Sequence, residues 1–100
     1  MVYDKENAIM AHFTVTQIID GDTFDVSPRW VWNGQTGTRV RPTGYDTPEI
    51  RAPFSALATS RLRQLIGGKT VELRNGHTID RGRLVCEVIV NGRYLASYFP

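Results

Sequence analysis

"RWVWNGQTGTRVR", residues 29–41, reads as a β-hairpin and sets the fold class. Trp30 and Trp32 share one face of a period-two strand, Asn33-Gly34 supply a tight turn, and the return strand ends in the alternation Arg39-Val40-Arg41. Working outward toward the N-terminus, "HFTVTQII" (12–19) and "DTFDV" (22–26) are strand-like and flank an Asp20-Gly21 turn. Toward the C-terminus, "KTVEL" (69–73) and "RLVCEVIV" (83–90) are further strands, and Asn91-Gly92 turns the last back into "RYLASY". Asn-Gly pairs at 33, 75 and 91 are expected to punctuate an antiparallel meander.

One helix interrupts the strands. In "APFSALATSRLRQLIGG" (52–68), Phe54, Leu57, Ala58, Leu62, Leu65 and Ile66 recur at helical spacing. Pro53 suits its first turn, and Gly67-Gly68 supply a stop. Three strands, a helix, then two or three strands fit a mainly β, five-stranded Greek-key barrel with the helix between strands 3 and 4. A flat sheet with one packed helix is the competing architecture. Closure is preferred because it leaves fewer strand edges exposed.

The bulk properties narrow the classes. One hundred residues make one domain, with 41% hydrophobic and 22% charged residues, as in ordinary globular proteins. The formal charge of +2 and pI near 9.0 permit nucleic-acid binding without arguing strongly for it. All basic residues except Lys5 and Lys69 are arginine, the better fork for phosphate oxygens. Cys86 is alone, so no internal disulfide forms, and its apolar run reads as core. His12 and His77 lack partners at zinc-ligand spacing. No apolar run is long enough for a transmembrane helix, so no membrane partner is expected. The N-terminus does not read as a signal peptide, although a removed signal would leave the same appearance, so the compartment stays open.

Charge gathers beside turn residues in "DGDT" (20–23), "RVR" (39–41), "DTPE" (46–49) and "DRGR" (80–83). An EF-hand reading of Asp20, Asp22 and Asp25 fails, because Asp25 and Val31 occupy the positions of its Gly and Glu. Asp20 suits a turn residue bonding its own backbone, whereas Asp22 opens a predicted strand, where Asp is disfavoured. Asp22 and Asp46 together would suit a hard cation such as calcium; as loop carboxylates they need no purpose beyond solvation. Arg41 and Arg83 read either as a solvated strand face or as two forks on a phosphate. Glu49 reads either as a helix N-terminal residue or as a carboxylate that takes a proton from water.

Taken together, "IIDGDTF", "VRPTGYDTPE", "DRGRL" and "VNGR" resemble the staphylococcal nuclease (thermonuclease) family over about residues 14–96. The resemblance implies an OB-fold barrel over 13–100, preceded by an N-terminal extension at 1–12, that cuts DNA and RNA with Ca2+ to 3′-phosphate products. Its substrates would be single-stranded DNA and RNA, and also duplex DNA. Asp22 and Asp46 would be the calcium carboxylates, with the backbone carbonyl of Thr47; Arg41 and Arg83 would grip the phosphate, and Glu49 would act on the water. Pro42 and Thr43 depart from the family's apolar strand residues and are expected to bend the strand or leave a donor unpaired. "DRGR" is one residue shorter than the family's loop and lacks its tyrosine. The family's C-terminal helices have no counterpart before Pro100, which predicts an exposed apolar face and possible self-association through it. The alternative is a non-catalytic OB-fold module binding nucleic acid through Trp30, Trp32 and Tyr45.

Overall fold

The computed structural model describes residues 9–45 and 55–99. Six strands and one α-helix run in the order β1 (Ile9–Asp20), β2 (Thr23–Trp32), β3 (Gln35–Pro42), α1 (Ser55–Ile66), β4 (Thr70–Asp80), β5 (Arg83–Val90) and β6 (Arg93–Tyr94), followed by a 3-10 turn at Leu95–Tyr98. The strands pair in the order β3-β2-β1-β4-β5-β6. A parallel pairing of β3 with β5, through Val40↔Leu84, Arg41↔Val85 and Pro42↔Cys86, joins the two ends of the five-stranded part. The sheet therefore closes, ruling out the flat alternative, and the barrel with its helix between β3 and β4 is consistent with an OB-fold.

Pro42 does not end the closure. It brings no N–H to the ladder, yet the next amide, Thr43 N–H, donates to the Cys86 carbonyl at 2.9 Å. The seam thus runs one residue past the proline.

The core follows the two periodicities. In β5 the apolar run resolves into strict alternation, with Leu84, Cys86, Val88 and Val90 buried. Phe24, Val26 and Trp30 enter from β2, Phe13 and Val15 from β1, and Val71 and Leu73 from β4. Leu62 and Ile66 of α1 are fully buried in the same cluster. Each such side chain is worth roughly 1.5–3 kcal/mol of transfer free energy. Leu57, expected on that helical face, is instead 64% exposed. Pro53 and Phe54 lie outside the described residues.

One detail corrects the sequence reading. Asn75-Gly76 is not a turn: β4 continues through it to Asp80, with a register shift between Arg74 and Thr78 and Asn75 at a φ of 51°. Gly76 is needed there because a Cβ would lie 2.3 Å from the Trp32 indole nitrogen. Three two-residue turns, Asn33-Gly34, Arg81-Gly82 and Asn91-Gly92, hold both residues at positive φ, the hairpin geometry that matches strand twist.

Candidate functional site

Three of the charged stretches meet at one end of the barrel. Asp20 ends β1 and Asp22 lies in the β1–β2 turn, Arg41 is next to last in β3, and Asp80 and Arg83 flank the β4–β5 turn. Closure brings them together, since β3 and β5 are far apart in the chain but adjacent in the sheet.

Asp20 behaves as a turn residue, accepting from the Asp22 amide at 3.0 Å. Strand pairing resumes at Thr23, so Asp22 occupies the turn rather than opening β2. Its carboxylate is part-buried, with Oδ2 at 3.7 Å from Arg41 Nε and Oδ1 at 3.9 Å from Arg83 Nη1. Arg83 is held in three places. Its Nη2 meets Asp80 Oδ2 at 2.8 Å, its Nε donates to the Asp80 carbonyl at 3.3 Å, and its Nη1 donates to Thr23 Oγ1 at 3.0 Å. A guanidinium carries five N–H groups, so one on each terminal nitrogen is left for another acceptor.

Burial raises the Asp22 carboxyl above its ordinary value, and the hydrogen bond and charge of Asp20 push the same way; Thr23 and Arg41 pull it down. Burial also pushes Asp20 up, but its bonds from Asp22 and Thr23 and the charge of Arg83 outweigh that, leaving it lowered. Two carboxylates thus crowd one turn, and the second is reluctant to ionise. Carboxylate oxygens are donors of the kind hard cations take. Among the described residues no group of three or more His, Cys, Asp or Glu forms a metal cluster. Asp46, Thr47 and Glu49 lie outside the described residues.

Tyr45, which immediately precedes Asp46 in the chain, bonds to the carbonyl of Gly21 at 3.2 Å through its hydroxyl. Its ring stacks on Phe99, with centroids 4.2 Å apart and planes 3° from parallel. Burial pushes its hydroxyl far above the ordinary tyrosine value. Tyr45 is therefore a tie between the β3 exit and the β1–β2 turn, not an open stacking platform. Trp30 is not one either: it is 2% exposed, donates to the Arg39 carbonyl at 2.8 Å and lies over Gly37. Trp32 is half-buried against Gly76.

Sequence reasoning missed Thr23 and Asp80. Asp80 had a signal, three residues before Arg83 across a Gly-containing turn; Thr23 had none, because its partner Arg83 is sixty residues away.

A cavity of about 320 Å³ lies elsewhere, lined by His12, Glu72, Arg74, Arg93 and Tyr94 among others. It sits near the start of β4, roughly 20–25 Å along the strand from Asp80 by the rise per residue. It is not the place where Asp22, Arg41 and Arg83 meet.

The fold and this site define a small closed β-barrel with a carboxylate and two arginines gathered at one end. No family model matches the chain. Two curated relatives, from Escherichia coli O157:H7 and Escherichia coli, are each named "Uncharacterized endonuclease" and are 27% identical to it over 77 residues, or 77% of this chain. The chain spans about half the length of these relatives, 47% of each. Among the described residues no helix is long and apolar enough to cross a membrane.

Proposed function

We propose that this domain is a calcium-dependent, sugar-nonspecific nuclease that hydrolyses phosphodiester bonds of DNA and RNA to 3′-phosphate products. The observation that carries the reading is the convergence of Asp22 with Arg41 and Arg83, from three separate segments, at one end of the barrel. The endonuclease-named relatives support the nuclease part of the reading in general terms.

Asp22 would hold the cation with Asp46 and the Thr47 carbonyl. What supports Asp46 is its place directly after Tyr45, whose hydroxyl is bonded to the turn carrying Asp22. Calcium, when bound, supplies positive charge that stabilises the phosphoryl oxygens. Arg41 and Arg83 bind and orient the phosphate through their guanidinium forks, and Arg83 is pre-aimed by Asp80 and Thr23. Glu49 would take the proton of the attacking water.

Incubation with single-stranded DNA, with calcium and then with chelator, tests the reading. Fragments that appear only with calcium are expected. Retarded but intact strands would replace the enzyme with a binding-only barrel.

A further inference from the structure

Thr23 is the buried polar side chain of the described core, 3% exposed. A buried hydroxyl needs partners, and this one lies between groups of opposite charge, the Asp20 and Asp22 carboxylates on one side and Arg83 on the other. It donates to Asp22 Oδ1 at 3.1 Å and accepts from Arg83 Nη1 at 3.0 Å. A guanidinium only donates and a carboxylate only accepts, so the hydroxyl is the group able to bond to both. Asp22 and Arg83 themselves stand 3.9 Å apart, beyond the 2.7–2.9 Å of a direct charge-assisted bond.

Opposite charges this close and part-buried attract, and nothing in their charges keeps them apart. Direct contact would spend the Asp22 oxygen on Arg83 and turn the guanidinium away from any other anion. The geometry points to Thr23 as a positioning residue, a hydroxyl spacer that bonds Asp22 and Arg83 at once and prevents their closing into a direct ion pair. The carboxylate then stays open to a cation and the guanidinium to a phosphate. This role rests on the nuclease reading for its purpose but not for its geometry.

Thr23→Val keeps the branched shape and removes the hydroxyl, whereas Thr23→Ser keeps the hydroxyl and removes the methyl. A crystal structure of the Thr23→Val chain is expected to show Arg83 in direct contact with Asp22, at about 3 Å. Calorimetric titration with calcium chloride is expected to show affinity down by about tenfold or more in Thr23→Val, the scale of lost hydrogen bonds to charged groups, and restored to within about threefold in Thr23→Ser. Cleavage of single-stranded DNA should follow the same order in kcat/KM. A Thr23→Val structure that keeps the wild-type separation would overturn the spacer, as would wild-type calcium affinity in that variant. Equal defects in the Ser and Val variants would also overturn it, by assigning the role to the methyl group. A wild-type chain that neither binds calcium nor cuts would sink the nuclease reading instead, and the Asp22–Arg83 distance would still decide the spacer.

Discussion

At one end of the barrel Glu72 meets Arg74 directly and His12 at 3.6 Å, while at the other Asp22 stands 3.7 Å from Arg41 and 3.9 Å from Arg83. Both clusters set a part-buried carboxylate beside arginine, yet they are wired differently. Glu72 and Arg74 are two residues apart on one strand, so their side chains share a face and neutralise each other locally. Asp22 draws its cations from β3 and β5, and a hydroxyl stands between it and Arg83. The first contact closes on itself, although neither Glu72 Oε2 nor Arg74 Nε finds a hydrogen-bond partner among the described residues, whereas separation leaves Asp22 able to take a third partner. The first cluster reads as part of the wall, the second as a site.

The sharpest way to break that contrast is to remove the arginines. Arg83→Ala or Arg41→Ala should lower cleavage on the order of a hundredfold, about 3 kcal/mol of barrier, with the fold retained. Wild-type turnover in a folded variant would take that arginine out of the mechanism. Arg74→Ala should do the reverse. It removes the arginine beside Glu72 and costs no more than about 1 kcal/mol of stability in a denaturant melt, with cleavage nearly unchanged.

Asp22→Asn sharpens the comparison through stability. The Asp22 carboxyl is raised in the fold by burial and by Asp20, so it binds its proton more tightly folded than unfolded. The ionised form therefore weakens the fold above that range, and the contribution is favourable only at lower pH. In chelator at neutral pH, Asp22→Asn should melt higher than wild type, and with calcium present it should lose cleavage. The gain should shrink as pH falls into the carboxylate range, where Asp22 takes up its proton. An unchanged or lower melting temperature at neutral pH would mean the turn is not under that strain.

The smallest effect concerns the wall between the two clusters. Burial pushes the Cys86 thiol up to about 12, so an aromatic disulfide reagent should scarcely react with the native chain and should react at once in denaturant. Rapid native labelling would show that β5 opens readily where β3 joins it.

Much of the barrel was legible in the chain. The 29–41 hairpin, the β5 strand and the buried Cys86 follow from period and turn chemistry, which are local. Asn75-Gly76 misled because the same pair that makes a turn also makes a bulge, and what decided was Trp32 lying against Gly76 from another strand. Leu57 misled because a helical stripe says which residues share a face, not how far along it the barrel reaches. Asp20, Asp22, Arg41 and Arg83 were conspicuous as charges beside turns, whereas the bonding roles of Thr23 and Tyr45 were not, since those bonds span sixty and twenty-four positions.

By itself the sequence determined the element types, the turns at 33 and 91, and the charged residues available for chemistry, because these depend on neighbours along the chain. Only the tertiary structure decided that β3 lies parallel to β5, and with it that Arg41 and Arg83 face the same aspartate. The physical reason is that closure is a property of the whole sheet: its accumulated twist brings the two ends together, and no single segment encodes that meeting.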